Sequence, residues 1–240
     1  MMSTADLVIH YAEKFYQNLL EDENSQDRYW EHCYKIFHNA RQEPEPNYDY
    51  LSLHLAFYLA SWGMYRGSSF LTRKDYRIHF PVVQELLKSR YDCLFGLECK
   101  ELRKPEIQQE LSRLESFIES YYKGIRSSCK GPVNCRISAT LITKILIGTL
   151  GCVPVYDRYF TEGIRCQKTA SGTYCINSLL CLADFYEENY GKLEKTRKNF
   201  KVYDLYYPQM KVLDMGFSES DLLGNETNNT QKRLRYEREI

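Results

Sequence analysis

The sequence predicts an all-α fold, a single compact multi-helix globular domain with two central apolar helices. Three observations predict it. Apolar residues recur at one-turn spacing in nearly every long segment, and 43% apolar content is enough for a sizeable core. Only one short run, Val202 to Tyr207, has strand-like composition, and Pro208 cuts it.

Ser3 or Thr4 can cap a first helix whose Leu7, Tyr11, Phe15 and Leu19 share a face. A second runs through Tyr29, Cys33, Ile36 and Phe37, and the stretch from Gln42 to Asn47, with two prolines, breaks the pattern. The third, about Tyr48 to Met64, is apolar on nearly all sides, as expected of an axle surrounded by other helices. Pro81 sits at an N1-like position for the next helix, which closes near Gly96. Pro105 opens the clearest amphipathic helix, with Ile107, Leu111, Leu114, Ile118 and Tyr121 on its inner face. A polar loop from Arg126 to Asn134 precedes the second apolar core segment, Ile137 to Leu150, and Gly151-Cys152-Val153-Pro154 turns the chain. Tyr174 to Tyr190 is a further amphipathic helix. The domain is expected to span residues 3–223, followed by a polar, mobile C-terminal tail at 224–240 where apolar residues nearly vanish.

Composition limits the partners. Acidic and basic residues balance at 32 each, so no global field attracts a polyanion and nucleic acid must find a local basic corner. No run approaches the length of a membrane span, and the first twenty residues lack the pattern of a secretory signal. Nine cysteines, an odd number with no C-x-x-C spacing, read as reduced thiols of a cytoplasmic protein. No metal-ligand spacing, phosphate loop or nucleophile elbow is present, so neither a cofactor nor a metal is implied.

Two corners carry the densest chemistry. Trp62-Gly63-Met64-Tyr65-Arg66-Gly67-Ser68-Ser69, followed by Arg73, offers glycines for close backbone approach, hydroxyl donors, and in Arg66 a fork for phosphate or carboxylate; Trp62 and Tyr65 could stack a base. The bland alternative is loop punctuation beside a core tryptophan. In Val153-Pro154-Val155-Tyr156-Asp157-Arg158, Asp157 arrives where a new helix starts, to cap it or to face a cleft. Lys144, within the apolar segment before it, is expected to snorkel to the surface; if buried instead, it becomes a reactive amine.

The order of buried helix, turn, Val-Pro-Val, aspartate and aromatic, over about Gly131 to Phe160, resembles the aspartate-bearing region of the helix-hairpin-helix DNA glycosylase superfamily. These are all-α proteins that flip a base and cleave its N-glycosidic bond. The resemblance implies a catalytic role for Asp157. Lyase members add a lysine nucleophile in the hairpin region; the nearest candidate is Lys144, thirteen residues before Asp157 and closer than the family places it. The paired hairpin glycines are absent from Gly131-Pro132-Val133-Asn134, and Tyr156 interrupts the spacing between proline and aspartate. Arg73 and His79 also match the loose arginine-to-histidine spacing of HEPN-type ribonucleases, although Pro81 sets that pair at a helix boundary.

The sequence thus points to a nucleic-acid or nucleotide-phosphate site formed by the Trp62–Ser69 corner and the Tyr156–Arg158 turn. Lys144 and Asp157 are its catalytic candidates, with Trp62, Tyr65, Arg66, Ser68, Ser69, Arg73, Tyr156 and Arg158 as binding residues. The alternative is a non-catalytic structural or protein-interaction module in which these groups are caps and core.

Overall fold

The computed structural model describes residues 2–67, 69–129 and 137–218. The expected tail at 224–240, Ser68 and the segment 130–136 lie outside these. The architecture is all-α, with one two-stranded ribbon among the described residues.

The first three helices are α1 (Thr4–Glu21), α2 (Arg28–Ala40) and α3 (Tyr48–Ser61). Ser3 caps α1 through Asp6 N–H, and Asn47 caps α3 through Tyr50 N–H. Two single-turn 3₁₀ segments, Phe70–Arg73 and Tyr76–His79, lead into α4 (Phe80–Leu86). Two more, Ser89–Leu94 and Cys99–Arg103, precede α5 (Pro105–Ser127), whose proline occupies the first turn, where a missing N–H costs nothing. Next come α6 (Ala139–Thr149), α7 (Arg158–Cys166), α8 (Ile176–Glu188) and α9 (Tyr190–Arg197). A minimal hairpin of β1 (Lys201–Val202) and β2 (Leu205–Tyr206) turns at Tyr203, which takes a φ of 55°. A last helix, α10, spans 209–218.

The axle is α6 rather than α3. Every residue from Leu141 to Leu150 is buried, and α2 and α3 pack along it. By contrast, α3 keeps one face open, with Tyr50, Leu53 and Phe57 each about half exposed. Its composition is apolar all round, yet its neighbours cover only part of its circumference.

Buried side chains form one continuous core from Val8 to Phe217. It includes α10, which sequence patterning missed because Pro208 reads as a stop and Lys211 and Asp214 interrupt the apolar run. Gly216 lets α10 approach α1: a Cβ there would meet Val8 Cγ1 at 2.5 Å and Val8 O at 2.6 Å. Gly216→Ala is therefore expected to destabilise the protein by about 1–3 kcal/mol in denaturant unfolding, by overpacking against backbone that cannot swing aside.

Candidate functional site

A cavity of about 280 Å³ opens where α2, α3, α6, α10 and the start of α7 meet. Its walls are aromatic, from Phe15, Trp30, Tyr58 and Trp62. Set into them are two lysines, Lys144 and Lys211, and three aspartates, Asp27, Asp157 and Asp214.

Lys144 does not snorkel. It is 7% exposed, because α6 lies beneath α2 and α3 and its side chain turns into the cavity. Its Nζ donates to the Trp62 carbonyl at 2.8 Å and sits 5.7 Å from the Trp62 ring. Burial pulls its pKa below the ordinary lysine value; the Asp157 and Asp214 charges oppose this, and Arg66 adds to it. The amine is thus neutral over more of the pH range than a surface lysine.

Asp157 does both things its sequence position allowed. One oxygen accepts from Phe160 N–H at 3.2 Å, capping α7, while the side chain lines the cavity. Burial raises its pKa, helped by the Asp214 charge and opposed by the Phe160 N–H and by Lys144. Desolvation therefore moves both Lys144 and Asp157 towards their neutral forms.

The turn carrying Asp157 is pinned from two sides. Thr143 Oγ1 accepts from Tyr156 N–H at 3.0 Å, and Thr140 Oγ1 donates to the Tyr156 carbonyl at 2.9 Å. These threonines and Lys144 lie within four residues on α6, so one helix positions both amine and aspartate. From the other side, Asp214 Oδ1 accepts from Val155 N–H at 2.8 Å, and its second oxygen pairs with Lys211 at 2.9 Å. Both residues are almost fully buried. Lys211 Nζ also stands 5.2 Å from the Trp30 ring and 5.4 Å from that of Phe15. Trp30 is anchored by its indole N–H, which donates to the Ile147 carbonyl at 2.9 Å.

The two sequence corners meet here only in part. Trp62, Lys144 and Asp157 share the cavity. Arg66 stays near, folded over Gly63 so closely that a Cβ there would come 2.7 Å from Arg66 Nε, with Gly63 at a φ of 73°. Tyr65 instead pairs with His79 Nε2 at 2.6 Å, and Ser69 caps a 3₁₀ turn through Leu71 N–H. Arg73 ends that turn, outside the cavity lining. Tyr156 points into the core, donating to Ser178 Oγ at 2.8 Å, and Arg158 lies exposed with Glu162 3.2 Å away. Ser68 and the hairpin glycines' place at 131–134 fall outside the described residues.

Arg73 and His79 do not form a pair on one helical face. They belong to separate 3₁₀ turns, and His79 is fully buried between the hydroxyls of Tyr65 and Tyr122, its pKa lowered to about 3 by burial. Among the described residues no group of acidic, histidine or cysteine side chains could hold a metal, the cysteines are unbridged, and no helix is long and apolar enough to cross a membrane.

Sequence reasoning missed Asp27, Lys211 and Asp214. Pro208 followed by five alternating or adjacent apolar residues was the available signal for α10; Asp27 carried none. A second depression, about 490 Å³ between α5 and α8, holds one carboxylate, Glu115, already hydrogen-bonded by Tyr174. It lacks the amine and facing aromatics of the first.

No protein-family model matches the chain, and comparison with curated proteins and with solved structures gives no match either.

Proposed function

We propose that this protein binds an unstacked nucleobase in the cavity and acts on the bond joining that base to its sugar, with Lys144 as nucleophile and Asp157 as the accompanying carboxylate. The observation that carries the proposal is the convergence of a buried lysine and a buried aspartate, on separate elements, in one aromatic-walled cavity. The volume lies near the lower end of small-molecule pockets, roughly 300 Å³, and its rings offer faces for a planar ligand.

Charge argues about which part of a nucleotide enters. Three aspartates against two lysines leave the cavity acidic when all are ionised, and more so when the Lys144 amine is neutral. A phosphate is repelled by such a lining, whereas positive charge developing on a sugar carbon is stabilised. The base and its glycosidic bond therefore belong inside and the phosphates outside.

The chemistry follows from the groups present. The neutral Lys144 amine forms a bond to the anomeric carbon as the carbon–nitrogen bond to the base breaks. The electron pair of that bond leaves with the base, and the proton released by the amine passes by way of Asp157 to the departing base nitrogen. The nitrogen lone pair then displaces the ring oxygen, which takes a proton from water, leaving an iminium between Lys144 and the former anomeric carbon and a hydroxide in solution.

The test uses an abasic-site DNA duplex, whose aldehyde condenses with such an amine, and borohydride, which reduces the imine to a stable crosslink. Wild-type protein should crosslink, at a rate that climbs with pH and levels off below the ordinary lysine pKa of 10.5; Lys144→Gln should not crosslink, and Lys211→Gln should. Absence of a wild-type crosslink, or its persistence in Lys144→Gln, would sink the assignment. A second reading is favoured by one contact: the Lys144 ammonium on the Trp62 carbonyl neutralises the C-terminal end of α3, as in a purely structural module. That role predicts a stability loss in Lys144→Gln and no covalent chemistry.

A further inference from the structure

The cavity's polar groups divide into those the protein satisfies and those it leaves open. Lys144 is engaged with the Trp62 carbonyl, Lys211 with Asp214, Asp214 also with Val155 N–H, and the Trp30 indole with Ile147. Groups without such a partner among the described residues include the buried Trp62 indole N–H, the half-buried Asp27 carboxylate and the Tyr58 hydroxyl. The Asp27 carboxylate stands at the start of α2 without making a capping hydrogen bond. The Tyr58 hydroxyl, on a side chain only 3% exposed, makes no hydrogen bond either, yet the residue lines the cavity. A polar group that lines a cavity and is left open by the protein marks where a ligand can supply the complement.

Resting on the base-binding assignment above, we propose that Asp27 reads the base, and that the base is of guanine type, with adjacent N–H donors beside a carbonyl. A carboxylate offers two acceptors side by side and no donor. Among the four bases only guanine presents two neighbouring donors, its ring N–H and exocyclic amine, to match that fork. Adenine and cytosine set a ring nitrogen lone pair beside their amine, facing the second carboxylate oxygen with repulsion. Thymine flanks its one N–H with carbonyls. Tyr58 then supplies a donor for the carbonyl next to guanine's ring N–H, and the Trp30 ring, one turn from Asp27, supplies a stacking face. The neighbouring Lys211 cation favours the ionised form of Asp27, against the effect of its burial, while Asp157, Asp214 and Lys144 complete the charged lining. A neutral, donor-rich ring is also what an acidic cavity accepts.

The chain has two tryptophans, Trp30 and Trp62, and both line the cavity, so intrinsic fluorescence reports its occupancy directly. Titration of the full chain with deoxyguanosine, deoxyinosine, deoxyadenosine, deoxycytidine and thymidine should show deoxyguanosine binding at least about tenfold more tightly than the last three. Deoxyinosine, which lacks the exocyclic amine, should fall between. Asp27→Asn should weaken deoxyguanosine about tenfold and erase the preference, with Tyr58→Phe giving a smaller loss in the same direction. Equal binding of all five, binding of none, or an intact preference in Asp27→Asn overturns the proposal. Borohydride crosslinking to abasic DNA needs no base, so it separates the two assignments: crosslinking without base preference removes only the role of Asp27, whereas loss of both removes the Lys144 chemistry as well.

Discussion

Asp157→Asn is expected to slow crosslinking to abasic DNA by about 10²–10⁴-fold while leaving the fold and its thermal midpoint nearly unchanged. The variant separates the capping role that the structure shows from the catalytic role proposed for the residue. As an N-cap, Asp157 accepts one hydrogen bond from Phe160 N–H, and asparagine caps a helix about as well as aspartate. If capping were its whole function, the amide would leave both stability and chemistry intact. As a catalytic carboxylate it has to hold negative charge and move a proton beside Lys144, which an amide cannot do. Its pKa, raised by burial, also means that the native state bears a cost for keeping the group ionised, so removing the charge carries little penalty in stability. The measurement is the single-turnover crosslinking rate alongside a melting curve. Unchanged rates would return Asp157 to a capping role.

The second large effect concerns acid stability and a different residue. His79 is buried between Tyr65 and Tyr122, with its pKa lowered from 6.5 to about 3 by desolvation. The unfolded chain therefore binds a proton between these values that the native state refuses. Stability from this group is fully present above pH 6.5 and falls as pH drops towards 3, by up to roughly 5 kcal/mol in all and about 2 kcal/mol by pH 5. Against a total of roughly 5–15 kcal/mol for a typical domain, that is a large fraction. Carboxylates titrate in the same range, so the informative quantity is the difference between wild type and His79→Gln, measured by urea unfolding at pH 8 and pH 5. Glutamine keeps a donor and an acceptor for the two tyrosines without titrating, and should lose about 2 kcal/mol less on acidification. Equal losses would show that His79 becomes charged without leaving its site.

Much of the helical layout was legible because its signals are local. Pro105 and the Ile107-Leu111-Leu114-Ile118 stripe define α5, and Ser138 with the dense apolar run after it defines α6. What escaped was set by packing across the chain. Nothing local distinguishes a lysine that reaches solvent from one roofed by α2 and α3, so Lys144 read as a snorkelling side chain. Tyr156 and Asp157 are adjacent, yet the hydroxyls of Thr140 and Thr143 fix the turn so that one enters the core and the other the cavity. The helix α10 was hidden because its polar residues face inward to one another and to the Asp157 turn, which inverts the usual amphipathic pattern.

The contact between Val8 and Gly216 ties the first described helix to the last, and the last is the one that braces Asp157 through Asp214. During synthesis the ribosome releases α6, with Lys144, well before α10. Until α10 docks, that amine stands beside an unbraced turn and an open wall, so a growing polypeptide holds some of the cavity's charged groups without their final arrangement. The cavity is therefore completed only when the chain closes upon itself, because α10 supplies Lys211 and Asp214 to its lining.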